Sequence, residues 1–133
     1  MFTILILEDD GHQRLLLEEE LQREGYATVA RAGGRDGLDA LVRAGPDLVV
    51  LDVRAPWAGG AQLLHRVLVT NSFVPIVIYT AYAEFWDSFL SCGADACVLK
   101  RSDLSELKAT IRRVLGGHAC PDPLPPPEFA CAV

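Results

Sequence analysis

The chain has 133 residues, 50% of them hydrophobic, with 18 acidic against 12 basic side chains and a formal net charge of −6. That length suits one ordinary domain with a full apolar core, and no second domain is expected. The acidic balance argues against direct DNA binding, and the lack of any run of about 18 apolar residues argues against a membrane span.

Met1-Phe2-Thr3 enters an apolar run instead of a basic leader, so a cytoplasmic location is expected. Phe2–Leu7 reads as a strand ending in Glu8-Asp9-Asp10. His12–Glu24 reads as a helix with Leu16, Leu17 and Leu21 inward, stopped by Gly25. Tyr26–Ala30 is the second strand, and Gly33–Ala44 the second helix, with Leu38, Leu41 and Val42 at helical spacing before Gly45-Pro46.

Pro46-Asp47-Leu48-Val49-Val50-Leu51-Asp52 then gives a third strand buried on both faces, which an aspartate closes. The third helix is Ala61–Thr70, with Leu63, Leu64, Val67 and Leu68 inward. Val74–Tyr79 is the fourth strand, Ala83–Ser91 the fourth helix and Ala96–Leu99 the fifth strand. A fifth helix begins near Asp103, whose spacing to Glu106 suggests a capping box, and Leu104, Leu107, Ile111 and Val114 form its apolar stripe. After Gly117 the composition turns proline-rich, so a disordered tail is expected over 118–133 and a domain over 1–117. Cys92, Cys97, Cys120 and Cys131 lack metal-ligand spacing and nearby His partners, which points to reduced thiols.

Five strand-helix units in alternation imply parallel strands, right-handed crossovers and three layers, with the first, third and fourth strands central. Glu8, Asp9, Asp52, Thr80 and Lys100 then fall at strand C-terminal ends on one sheet edge, where open α/β sheets bind ligands. Each has an ordinary explanation alone, as a turn former, a helix cap or a surface cation. Together, three carboxylates repel by about 4 kcal/mol per pair at 4 Å and an effective dielectric near 20, so the site wants a cation. Hard oxygen ligands in small number suit Mg2+ beside a phosphate.

The segments Ile4-Leu5-Ile6-Leu7-Glu8-Asp9-Asp10, Pro46 to Asp52, Ile76-Val77-Ile78-Tyr79-Thr80-Ala81 and Gly93-Ala94-Asp95-Ala96-Cys97-Val98-Leu99-Lys100 resemble, in order and spacing, the receiver domain of two-component response regulators. The resemblance covers about residues 2 to 116. It implies a flavodoxin-like (βα)5 three-layer sandwich, a parallel five-stranded sheet of order 2-1-3-4-5 and a site between the first and third strands. It further implies that Asp52 is the phosphoacceptor and that Asp9, Glu8 (through water), Asp52 and the Arg54 backbone carbonyl hold Mg2+. Thr80 would be the hydroxyl that moves toward the phosphoryl group, and Lys100 the cation that pairs with it.

The chain departs from that family's pattern in places. Arg101 follows Lys100 where many receivers have Pro, Cys97 takes the place of the aromatic switch residue, and the segment from Thr80 to Lys100 is a residue or two short. The aromatic material has moved to Phe85, Trp86 and Phe89 in the expected fourth helix, where Trp86 could meet a partner.

The leading expectation is a stand-alone phosphoacceptor that takes phosphate from a histidine kinase or histidine phosphotransfer protein. It would signal to a downstream protein by contact and act as no enzyme beyond its own phosphorylation and dephosphorylation. The resemblance also implies homodimers through the fourth helix, fifth strand and fifth helix. An interaction module of the same fold that works without phosphorylation is the alternative. A third reading, a Mg2+-dependent phosphohydrolase, would want an acid two residues after Asp52, where Arg54 stands.

Overall fold

The computed structural model describes residues 1–53, 60–81, 90–91, 93–100 and 103–116. Five parallel strands form one sheet in the order β2-β1-β3-β4-β5: β1 (Thr3–Leu7), β2 (Ala27–Arg31), β3 (Leu48–Val53), β4 (Ile76–Thr80) and β5 (Ala96–Leu99). Between them run α1 (Gly11–Arg23), α2 (Arg35–Ala44) and α3 (Gly60–Thr70), and a C-terminal helix spans Ser105–Gly116. The order is the flavodoxin-like one expected, with β1, β3 and β4 central.

Strand alternation sorts the core into two layers. On one face Ile4, Ile6, Leu48, Val50, Val77, Tyr79, Ala96 and Val98 pack against Leu17 and Leu21 of α1 and Leu107 and Ile111 of the C-terminal helix. On the other, Leu5, Leu7, Val49, Leu51, Ile76 and Ile78 meet Ala40 and Leu41 of α2 and Leu64 and Val67 of α3. Because helices cover both faces, Ile4 to Leu7 and Leu48 to Leu51 are all essentially buried. Across the helical surface on the first face, Lys108 reaches Glu20 at 2.8 Å and Glu24 at 3.7 Å, and Arg112 reaches Glu24 at 3.1 Å.

Two helix faces differ from expectation. Leu16 is 44% exposed, since a residue next to Leu17 points about 100° away from the Leu17–Leu21 face. Val42 is 69% exposed for the same reason beside Leu41, and Gly37 and Ala40 take the inward positions. Gly37 admits Leu7 so closely that an added Cβ would lie 2.6 Å from a Leu7 methyl.

Local polar contacts fix the element ends. Asp10 caps α1 by accepting from His12 and Gln13 N–H groups. At its far end, Gly25, at φ 95°, donates to Gln22 and Tyr26 donates to Leu21, a Schellman closure. Asp103 accepts from the backbone N–H and hydroxyl of Ser105, which starts the C-terminal helix and holds its carboxyl below the usual range.

Two other aspartates clamp strand starts on the sheet edge opposite the site. Asp47 accepts from Thr3 N–H while its own N–H donates back to the Thr3 carbonyl, and Asp95 does the same with Ile76. Of the expected fourth helix, Leu90 and Ser91 are helical and the remainder lies outside the described residues, as do Arg54, Arg101 and the proline-rich tail. Among the described residues no helix is long and apolar enough to cross a membrane.

Candidate functional site

The strand face that carries Ile6, Val50 and Val98 continues two residues further into Glu8, Asp52 and Lys100. Periodicity therefore puts three charged groups side by side at the C-terminal edge, one each from the ends of β1, β3 and β5.

The Lys100 ammonium donates to Oδ2 of Asp52 and lies 3.5 Å from Oε1 of Glu8. Glu8 is 2% exposed and the Asp52 side chain is wholly buried, so this cation offsets two carboxylates that would be costly to desolvate unpaired. The second Glu8 oxygen accepts from Asp10 N–H at 3.2 Å. Oδ1 of Asp52 is buried and has no hydrogen-bond partner among the described residues.

Asp9 stands at the same edge but is turned toward the turn before α2: its Oδ1 accepts from Gly33 N–H at 2.8 Å. A Cβ at Gly33 would lie 3.4 Å from that oxygen and 3.2 Å from Leu63, so a bulkier residue would press on the carboxylate. Thr80 is fully buried at the end of β4, and its carbonyl accepts from Lys100 N–H at 2.7 Å, which fixes the start of the Lys100 side chain. Arg54 lies outside the described residues.

The structure thus joins Glu8, Asp52 and Lys100 by direct contact, sets Thr80 beside them through the backbone, and holds Asp9 on the rim. Two contacts were not anticipated from sequence. Asp10 followed by Gln13 carried a readable capping signal. Arg14, whose Nη1 donates 2.8 Å to the Glu8 carbonyl from one turn into α1, carried none.

Among the described residues no three His, Cys, Asp or Glu side chains are drawn together as a metal cluster; the ammonium lies between the two buried carboxylates instead. The donor set nevertheless fits a hard divalent cation. The Asp52 oxygen that has no partner among the described residues offers its lone pairs, and Asp9 and Glu8 supply further carboxylate oxygens on adjacent strands.

The response regulator receiver domain family matches residues 4–112 of the chain. The chain is 38% identical over 114 residues to the uncharacterized transcriptional regulatory protein YkoG of Bacillus subtilis, covering 84% of this chain and 50% of that protein. It is 33% identical over 114 residues to sporulation initiation phosphotransferase F of Bacillus subtilis, covering 84% of this chain and 92% of that one. It thus spans half the length of the first relative and nearly all of the second.

Response regulator protein TrrA from Thermotoga maritima in complex with Mg2+-BeF superposes with a TM-score of 0.77 at 31% identity, over 86% of this chain and 99% of TrrA. TrrA in complex with the histidine kinase ThkA gives a TM-score of 0.76 with the same identity and coverage. With the sheet order, the strand-end carboxylates and the lysine all in place, the chain belongs to the response regulator receiver domain family.

Proposed function

We propose that Asp52 accepts a phosphoryl group from a phosphohistidine on a histidine kinase or phosphotransfer protein, and that the phosphorylated domain signals by protein contact. The observation that carries this reading is the Asp52 carboxylate itself, buried at a strand end, with one oxygen held by Lys100 and the other unpartnered among the described residues. The complex of TrrA with ThkA supports the choice of donor.

In the transfer, a carboxylate oxygen of Asp52 forms the new O–P bond while the P–N bond to the donor imidazole breaks and its electron pair returns to that ring nitrogen. Lys100 follows the growing charge on the phosphoryl oxygens, and Glu8 keeps the ammonium centred by its second contact. Glu8, Asp9, Asp52 and the Arg54 carbonyl would hold Mg2+, which when bound offsets charge on the phosphoryl oxygens; the TrrA complex with Mg2+-BeF supports that assignment. Thr80 supplies a hydroxyl that can bond to the phosphorylated form and shift a two-state equilibrium. The domain over 1–117, the tail over 118–133 and a cytoplasmic location belong to the same reading.

Incubation with acetyl phosphate and Mg2+ followed by intact mass tests the proposal. A single phosphoryl increment, absent from Asp52→Ala, is expected. An unmodified mass with both acetyl phosphate and a phosphohistidine donor would favour an interaction module that works without phosphorylation.

A further inference from the structure

Tyr79 lies on the path that Lys100 takes to the acceptor. In the sheet register Asp52 pairs with Tyr79 and Tyr79 with Val98, and Lys100 stands two residues beyond Val98 on the same face. Neighbouring strands are about 4.8 Å apart, so a side chain from the end of β5 must cross β4 to meet a carboxylate on β3. The side chain at the crossing is the Tyr79 ring, 3% exposed. The ammonium sits over this ring, 5.6 Å from its centroid, while also contacting Asp52 and Glu8.

That distance is within the range where an aromatic face attracts a cation, and the ring that offers the face is itself buried. An aliphatic residue here would support the lysine stem but offer the ammonium no negative face. The chemistry gives the ring a use, because the charge at position 52 changes on phosphoryl transfer whereas the ring's attraction does not.

We infer that Tyr79 is a positioning residue for phosphoryl uptake, its ring holding the Lys100 ammonium beside Asp52. The inference rests on the phosphoacceptor reading above. The phenol hydroxyl is dispensable to it and the ring is not.

The test compares Tyr79→Phe, Tyr79→Leu and Tyr79→Met for initial phosphorylation rate with acetyl phosphate and Mg2+, in the wild-type and Lys100→Met backgrounds. NMR of the Lys100 Hε protons is recorded on the wild type, Tyr79→Phe and whichever aliphatic variant folds. The expected result is a rate within twofold for Tyr79→Phe and a loss of about fivefold for the aliphatic variants, from the usual strength of a cation over a ring. No further loss is expected once Lys100 is already Met, since two residues acting through one contact are not additive.

Lys100 Hε signals should be shifted upfield by the ring in the wild type and Tyr79→Phe, and return to ordinary values in the aliphatic variant. Aliphatic variants as fast as wild type, equal losses in both backgrounds, or ordinary Hε shifts in the wild type would each overturn the inference. A wild type inert to the donor overturns instead the phosphoacceptor reading on which it rests.

Discussion

Lys100 donates from its ammonium to one oxygen of Asp52, and the other oxygen of that carboxylate is buried without a partner among the described residues. Among the described residues the pair is therefore half-satisfied: its charge is offset, but that oxygen's lone pairs are open to a cation or a phosphorus atom. Replacing Lys100 with Met keeps the stem and removes the charge. Phosphorylation of Asp52 by a small donor should slow by roughly a hundredfold, the usual cost of removing a preorganised group that offsets transition-state charge. Quenched time points analysed by mass would measure it, and a rate within twofold of wild type would contradict the role given to Lys100.

Asp9 is oriented by Gly33 and lies on the rim of the same edge. Since Mg2+ needs carboxylate oxygens in near-octahedral positions, Asp9→Ala should weaken Mg2+ binding severalfold or more. Trp57, five residues after Asp52 in the sequence, should report binding through its fluorescence. Superimposable Mg2+ titrations for the two proteins would remove Asp9 from the ligand set.

The contact between α1 and the C-terminal helix should be pH-dependent in a defined sense. The hydrogen bond from Lys108 lowers the Glu20 carboxyl below its usual range, and Glu20 in turn raises Lys108 above its own. A lowered carboxyl contributes stability that is lost as pH falls through its folded value, and a raised ammonium contributes stability that is lost as pH rises through its folded value. The Tm deficit of Lys108→Met should therefore be largest near neutral pH and shrink at both the acid and the alkaline end. It should also shrink in high salt and amount to a few degrees at most, because the groups are close to solvent. A deficit that stays constant across pH would mean that Lys108 acts by packing alone.

Leu15 and Leu16 are 54% and 44% exposed on α1, the helix whose Asp10 cap and Arg14 side chain border the site. On the phosphoacceptor reading proposed above, an exposed apolar pair on this helix suits contact with a protein donor. Leu15→Ser combined with Leu16→Ser should cut phosphoryl transfer from a phosphorylated histidine kinase by about tenfold, the scale of a truncated contact residue. Uptake from acetyl phosphate should stay unchanged. Equal losses with both donors would place the effect in the fold.

Much of this architecture was legible because parallel strands covered on both sides must be apolar without interruption. The runs Ile4–Leu7 and Leu48–Leu51 announced central strands, and β5 falls at Ala96–Leu99 as read. Acids and a lysine at the ends of those runs located the edge of the site. Adjacent apolar residues on helices misled, since Leu16 and Val42 follow the inward residues in composition but not in direction.

Contacts across the sheet were not legible either. That Lys100 crosses β4 to reach Asp52, and that Asp47 and Asp95 clamp the starts of β1 and β4, depends on register, which periodicity does not fix. Trp86, expected as a partner contact, lies outside the described residues.

On the proposed reading the phosphoryl group resides on Asp52 as an acyl phosphate. Borohydride reduces an acyl phosphate of aspartate to homoserine, so treating the phosphorylated protein and mapping its peptides identifies the acceptor directly. Homoserine at position 52 in the sample incubated with a phosphohistidine donor and Mg2+, and in no sample lacking donor, is the result predicted. Phosphorylated protein with aspartate unchanged at position 52, or homoserine at another position, would contradict it.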